Sequence, residues 1–141
     1  QRQRWVVPVL VEAGLDADPN LILSGDYNEI QSYEAMRHLI AHGVDAVFCA
    51  SDVMALGAVR AITDAGLRVG IDIGVVGFDD MPFASTLHPP LTTVRQPIAD
   101  LGDRATDILM RLIEEEPVPQ DHVLLPAHLI VRQSCGASVR S

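Results

Sequence analysis

The sequence contains no lysine: all ten basic residues among its 141 are arginine. This absence excludes mechanisms that need a lysine, such as a phosphate-binding loop, Schiff-base chemistry or the lysine of a phospho-acceptor receiver domain. The net charge of −9 also disfavours direct binding of nucleic acid, which requires a basic surface.

Cysteines and long apolar runs are scarce as well. The two cysteines, Cys49 and Cys135, are far apart and lack metal-type spacing. Cys49 lies in an apolar run, so we predict that it is a buried packing residue. Nothing indicates a disulfide, which favours a reducing compartment. No apolar run approaches the roughly 20 residues that a membrane span needs.

Helix and strand signals alternate along the chain. The apolar periodicity and the capping residues predict helices over 2–14, 28–42, 51–65 and 97–115, and strands over 20–23, 46–50, 73–78, 91–95 and 122–131. This alternation predicts one α/β domain with a parallel sheet that has helices on both faces. The last helix carries a continuous apolar stripe, formed by Ile98, Leu101, Ala105, Ile108, Leu109, Leu112 and Ile113.

Polar residues follow two of the predicted strands directly. Ser51 and Asp52 follow the first, and Asp79 and Asp80 follow the second. Open parallel sheets bind ligands at the carboxyl ends of their strands. Either Ser51 or Asp52 could instead cap the next helix. The aspartate pair could hold Mg²⁺, or one carboxylate could accept hydrogen bonds from ligand hydroxyls while the other pairs locally.

The remaining chemical candidates are weaker. Tyr27 follows a predicted strand end and could stack on a flat ligand or pack within its loop. His38 and His42 share a helix face, but the glutamate of a zinc hydrolase motif is missing, which favours a surface pair. Ser51 lacks the glycines of a nucleophile elbow. The residues therefore indicate a binding pocket without enzyme activity, cofactor or metal.

Several ordered motifs together resemble the LacI/GalR family of bacterial transcriptional regulators. They are Ala-Ser-Asp-Val-Met-Ala-Leu-Gly-Ala at 50–58, Gly-Leu-Arg-Val at 66–69, Val-Val-Gly-Phe-Asp-Asp at 75–80, Pro-Pro-Leu-Thr-Thr-Val-Arg-Gln-Pro at 89–97, Leu-Leu-Pro at 124–126 and Leu-Ile-Val-Arg-Gln-Ser at 129–134. The resemblance extends from Arg2 to about Ser134. Because the motifs keep their order and separation, it is far more specific than any one of them.

The resemblance implies a two-lobed, periplasmic-binding-protein-like (type I) effector domain preceded by a helix-turn-helix headpiece. This chain matches the C-terminal half of that domain. By analogy, residues 1–95 form most of the C-terminal lobe, 96–125 belong to the N-terminal lobe, 126–134 form a return strand and 135–141 form a tail. The headpiece and most of the N-terminal lobe are expected to lie outside this chain.

The resemblance also implies a ligand site. Asp79 matches the family's aspartate that receives hydrogen bonds from the effector, and Arg2 matches an arginine that grips it. Tyr27 falls where an aromatic residue flanks the ligand, and Ser51 where an asparagine or similar residue contacts it. The glycine of the family's arginine motif is missing here and the aromatic comes one place early, so Arg4 is an alternative to Arg2.

The family resemblance implies a function and partners. The chain is expected to bind a small-molecule effector, a sugar or a related compound, and to form a homodimer through Leu56 and Leu87, although both leucines could pack within the monomer. Operator DNA would be contacted only by the missing headpiece, in the cytoplasm and away from membranes. The alternatives are a periplasmic sugar-binding transport receptor and a Mg²⁺-dependent enzyme that uses Asp79 and Asp80.

Overall fold

Helices and strands alternate in the computed structural model, which describes residues 3–15, 18–118 and 123–137, with only the backbone of 3–7. The helices are α1 (Gln3–Glu12), α2 (Glu29–Ala41), α3 (Asp52–Asp64) and α4 (Ile98–Ile113). The strands are β1 (Ala46–Phe48), β2 (Gly74–Asp79), β3 (Thr92–Arg95) and β4 (His128–Ile130). Short 3₁₀ turns span Pro19–Leu21 and Pro82–Ser85.

Local capping explains where α2 and α3 begin and end. The Asn28 side chain accepts hydrogen bonds from two backbone N–H groups of the first turn of α2, and the Ser51 hydroxyl accepts one from the Met54 N–H in α3. After the helices, Gly43 and Gly66 adopt positive φ angles of 74° and 75°. Glycine adopts this conformation without a steric cost, so both predicted helix ends are confirmed.

The four strands form one mixed sheet in the order β1-β2-β3-β4, flanked by helices. The pairs β1–β2 and β2–β3 are parallel, as predicted, but β4 runs antiparallel to β3. A parallel fourth strand would need a connection that crosses the sheet. No residue of α4, which joins β3 to β4, is buried. Strand β4 lies beside β3 and runs in the opposite direction, so the prediction of a parallel sheet is wrong for β4.

The predicted strand over 20–23 is also wrong. Its first residues belong to the 3₁₀ turn Pro19–Leu21, which Asp18 caps by accepting hydrogen bonds from the backbone and side-chain nitrogens of Asn20 at 2.8 and 2.9 Å. Asp and Pro favour such local turns over strand pairing. The predicted strands 46–50 and 122–131 are shorter in the structure, and residue 122 lies outside the described residues.

The core lies between α2, α3 and one face of the sheet. Its buried side chains include Met36, Leu39, Ala55, Ala58, Val59, Ile62, Val75 and Leu91. Cys49, 5% exposed, belongs to this core, and burial raises its pKa to about 12. At neutral pH it is therefore a protonated, unreactive packing residue, as predicted.

The apolar stripe of α4 is exposed to solvent. Five of its side chains are between 51% and 66% exposed: Ile98, Leu101, Leu109, Leu112 and Ile113. The periodicity predicted the helix, but in the described part of the chain nothing buries this face. Contiguous exposed apolar patches are typical of surfaces that contact a partner. None of the described helices combines the length and the apolar character that crossing a bilayer requires.

Helices α2 and α3 pack tightly against each other at Gly57. A Cβ atom there would collide with the carbonyl oxygen of Glu29 and lie 2.7 Å from the Ser32 Oγ and 2.9 Å from the Tyr33 backbone nitrogen. Two of these three atoms belong to the backbone of α2, which moves only if the helix moves. The glycine therefore fixes how closely the two helices pack.

We expect Gly57→Ala to lower the free energy of unfolding by about 1–3 kcal/mol, because α2 must shift to make room. Gly102→Ala in α4 is the matched control, since the added Cβ would meet no described atom within 4 Å beyond its chain neighbours and the nearby backbone of its own helix. That variant should gain roughly 0.5–1 kcal/mol from helix propensity alone. Urea unfolding followed by circular dichroism measures both. Equal effects of the two substitutions would contradict the close-packing argument.

Candidate functional site

Strand β2 ends in a turn with an unusual backbone. Asp79 and Asp80 have φ angles of 114° and 54°. Residues other than glycine rarely adopt positive φ angles of this kind. Each such residue costs on the order of 1–3 kcal/mol and persists only where its surroundings impose the conformation. We call residues 79–81 the aspartate turn. Its shape therefore requires other contacts to stabilise it.

The buried carboxylate of Asp52 supplies the first of these contacts. Asp52 is 0% exposed and accepts hydrogen bonds from the Met81 backbone N–H at 2.7 Å and from the Thr93 hydroxyl at 2.6 Å. The Thr93 oxygen in turn accepts a 3.4 Å hydrogen bond from the Asp80 N–H. A Cβ on Gly77 would collide with Asp52 Oδ1, so glycine makes room for the carboxylate. These bonds connect the aspartate turn to α3 and β3.

The environment of Asp52 changes the pKa of its carboxyl group. Burial raises the pKa of this carboxyl, the hydrogen bonds from Thr93 and Met81 lower it, and the charges of Asp79 and Asp80 raise it, so that the pKa is raised overall. Ser51, and not Asp52, caps α3. Of the two capping alternatives that the sequence left open, the structure therefore selects Ser51 and gives Asp52 a role in the aspartate turn.

Two arginines neutralise Asp80. Its side chain, 6% exposed, accepts hydrogen bonds from Arg95 Nε at 2.6 Å and from Arg132 Nη2 at 2.7 Å. Burial raises the pKa of Asp80, but the two guanidinium groups outweigh it, and the pKa is lowered overall. Adjacent cations oppose the binding of Mg²⁺ to this carboxylate. Within 3–15, 18–118 and 123–137, no three His, Cys, Asp or Glu residues form a metal-binding group.

Asp79 has a different environment. Its half-buried carboxylate accepts a 2.7 Å hydrogen bond from the neutral side-chain amide of Gln96, which lies between β3 and α4. An incoming hydroxyl or N–H group can add to this bond or replace it without breaking an ion pair. Of the two aspartates that the sequence proposed as candidates, Asp79 is therefore the one suited to a polar ligand, and Asp80 is the locally paired one.

The structure locates the other predicted site residues as follows. Ser51 follows β1 and Asp79 ends β2, so the two residues lie at the same edge of the sheet, but Ser51 is only 6% exposed and its hydroxyl is used as the α3 cap. Tyr27 is 62% exposed in a loop. Arg2 and the side chain of Arg4 lie outside the described residues, so the assignment of the gripping arginine stays a prediction.

Sequence reasoning missed the residues that support the aspartate turn. Thr93, Gln96 and Arg132 contact it from β3, from the segment before α4 and from the segment after β4. Thr93 and Gln96 stand in the quoted motif at 89–97, and Arg132 stands in the motif at 129–134. Their presence in these motifs was the available signal, although it did not say what they contact.

Comparison with known proteins identifies the family. Residues 1–135 match the family described as the periplasmic binding protein-like domain. The chain belongs to this family. Its regulator relatives are of the LacI type. The chain is, for example, 40% identical over 128 residues to the HTH-type transcriptional regulator MalR of Clostridium butyricum, and the match covers 89% of this chain and 38% of that protein.

Solved structures give the same result. The transcriptional regulator CelR in complex with cellobiose superimposes with a TM-score of 0.89 at 38% identity, over 94% of this chain and 41% of that one. The lac repressor dimer bound to operator and the anti-inducer ONPF gives a TM-score of 0.84 at 34% identity, over 96% and 47%. The chain thus spans about two fifths of the length of the curated relatives it matches.

The ion pairs of Asp80 predict a pH dependence of stability. Because the folded-state pKa lies below the unfolded value of about 3.9, the stabilisation is complete above that pH and is lost as the pH falls through the folded pKa. We expect Asp80→Asn to lower the free energy of unfolding by about 1.5–3 kcal/mol at pH 7. This difference should shrink in urea titrations below about pH 4.

Asp107→Asn is the control for this measurement. Asp107 pairs with Arg111 at 3.1 Å, but both side chains are exposed. Exposed pairs contribute little, so this variant should stay within roughly 0.5 kcal/mol of the parent at every pH. If Asp80→Asn kept its full effect at low pH, the ion pairs would not be its cause.

Proposed function

We propose that this chain is the effector-binding and dimerisation part of a LacI-type transcriptional regulator that acts in the cytoplasm and is not an enzyme. The observation that carries the proposal is the Asp79 carboxylate at the carboxyl edge of the sheet, bound by a neutral amide and supported by a turn of rare geometry. The names of the relatives, which are transcriptional regulators and repressors, support a regulator over a transport receptor.

The proposed effector is a sugar or a related polyhydroxyl compound. A carboxylate such as Asp79 accepts strong, directional hydrogen bonds from hydroxyl groups. Tyr27, exposed beside the start of α2, would cover an apolar sugar face, and an arginine from the first segment, Arg2 or Arg4, would donate to the ligand. Ser51 would also contact the ligand, because it lies with Asp79 at the carboxyl edge of the sheet. The cellobiose in the complex of CelR supports this class of ligand.

The binding cleft would be completed by a second lobe. In this proposal residues 1–95 form one lobe, 96–125 cross into the other, and 126–134 return. The exposed apolar stripe of α4 supports the division, since 96–125 contains a helix with no buried residue and β4 pairs with β3 immediately afterwards. Effector bound between the lobes would favour one lobe arrangement and so change DNA affinity elsewhere in the protein.

A homodimer is the proposed assembly. Leu56 on α3 is half-buried, whereas Leu87 is partly buried and packs against the core of its own chain. Leu56 is therefore the stronger interface candidate, and Leu87 keeps an intramolecular role as well. The lac repressor relative, solved as a dimer bound to operator, supports this assembly and supports DNA as the partner of the whole protein.

Asp79→Ala in the full-length protein tests the site. Loss of one hydrogen bond to a charged group should weaken effector binding by roughly ten- to a hundredfold while the fold survives. A thermal-shift panel of ribose, cellobiose, other mono- and disaccharides and purine bases identifies the ligand, and calorimetry measures its affinity. Asp45→Ala is the control, because this exposed carboxylate precedes β1 at the opposite edge of the sheet. Unchanged affinity in Asp79→Ala would refute the assignment.

The uncovered stripe of α4 predicts that the chain expressed by itself associates with itself. Each exposed leucine or isoleucine buried in such contacts contributes up to about 1.5–3 kcal/mol. Light scattering at increasing concentration should show a growing mass, and Leu101→Gln with Leu109→Gln should reduce it. The control pair Asp103→Gln and Asp107→Gln changes exposed polar positions of the same helix. A monomer at high concentration would contradict the prediction.

A further inference from the structure

We infer that Thr93 and Asp52 are positioning residues for effector recognition: they fix the aspartate turn so that Asp79 faces the ligand, without contacting the ligand themselves. The inference rests on the proposed function, since it is Asp79 that is proposed to bind the effector. Neither residue was assigned this role by the sequence.

The backbone of the aspartate turn has a conformation that needs support from its surroundings. Asp79 and Asp80 are consecutive residues with positive φ, and neither is a glycine. A free chain would leave this conformation. A change of φ at Asp79 would rotate its Cβ and its carbonyl group together about the N–Cα bond, and so redirect the side chain relative to β2. The direction of the proposed ligand-binding carboxylate therefore depends on whatever stabilises the turn.

The Thr93 hydroxyl stabilises it from both sides. It donates to Asp52 Oδ1 at 2.6 Å and accepts from the Asp80 N–H at 3.4 Å, so one oxygen joins the buried carboxylate to the turn. Asp52 Oδ2 accepts directly from the Met81 N–H at 2.7 Å. Both side chains are 0% exposed, so water is not available to replace either of them.

A valine at position 93 removes only the two hydrogen bonds of the hydroxyl. Thr93→Val keeps the shape of the side chain but leaves the Asp80 N–H without this acceptor and the Asp52 carboxylate without this donor. Thr93→Ser keeps the hydroxyl and loses a methyl group. If the hydroxyl positions the turn, Thr93→Ser should behave like the parent and Thr93→Val should not. If Thr93 acted through packing alone, Thr93→Ser would also change the turn, because it loses the methyl group.

The neighbouring residue supplies a matched control. Thr92 is 1% exposed, and its hydroxyl accepts a 2.8 Å hydrogen bond from the Arg132 N–H. Adjacent residues of a strand point to opposite faces of the sheet, so this hydroxyl is directed away from Asp52. Thr92→Val therefore removes the hydrogen bond of a buried hydroxyl in the same strand, one made to the Arg132 backbone, without removing a direct contact to the aspartate turn.

The first test needs no effector. Hydrogen–deuterium exchange of the full-length protein, resolved to single amides by mass spectrometry, reports on the Asp80 and Met81 N–H groups. Thr93→Val should speed their exchange by about tenfold or more while α3 stays protected, and Thr93→Ser and Thr92→Val should keep the parent rates. Unchanged exchange in Thr93→Val, an equal increase in Thr92→Val, or an increase spread over α3 would overturn the inference.

The second test uses the sugar that gives the largest thermal shift in the panel above. Thr93→Val should weaken its binding by roughly tenfold, and Thr92→Val should leave it unchanged. Parent-like affinity in Thr93→Val combined with weak binding in Asp79→Ala would overturn the positioning role alone. If Asp79→Ala binds normally, or if no compound of the panel binds, the proposed function fails, and the exchange test still decides whether Thr93 fixes the turn.

Discussion

The geometry of the candidate site depends on one buried carboxylate. A buried carboxyl group without hydrogen-bond partners is expensive inside a protein, and Asp52 has two such partners, the Thr93 hydroxyl and the Met81 N–H. The same requirement explains Gly77, whose missing side chain leaves space for Asp52 Oδ1. These contacts connect the start of α3, the end of β2 and strand β3 at the carboxyl ends of the parallel strands.

A second set of contacts extends this edge to the final strand. Arg132 donates to the Leu91 carbonyl oxygen with Nη1 and to Asp80 with Nη2, both at 2.7 Å. One side chain thus joins the segment after β4 to the residue that follows β2 and the residue that precedes β3. The guanidinium group donates in several fixed directions at once, whereas an ammonium group is a compact point charge. An arginine therefore suits position 132, where one side chain contacts both the Leu91 carbonyl oxygen and the Asp80 carboxylate.

Local signals in the sequence predicted much of this fold, and long-range contacts account for the rest. Asn28, Ser51, Gly43 and Gly66 specify α2 and α3 through contacts within a few residues, and these elements were predicted correctly. The orientation of β4 depends on where α4 lies, which no local pattern specifies. Likewise Asp79 could be proposed from its place after a strand, but the partners of the aspartate turn are up to 52 residues away in sequence.

The close contact between Gly77 and Asp52 also restricts how this protein can evolve. A side chain at position 77 would occupy the space of the carboxylate oxygen, so any mutation of the glycine is damaging while the aspartate is present. Loss of the aspartate would remove most of that obstacle, with Leu91 Cδ2 3.0 Å from the added Cβ as the remaining one. The two positions are therefore expected to covary, and the order in which they mutate determines whether the intermediate sequence survives.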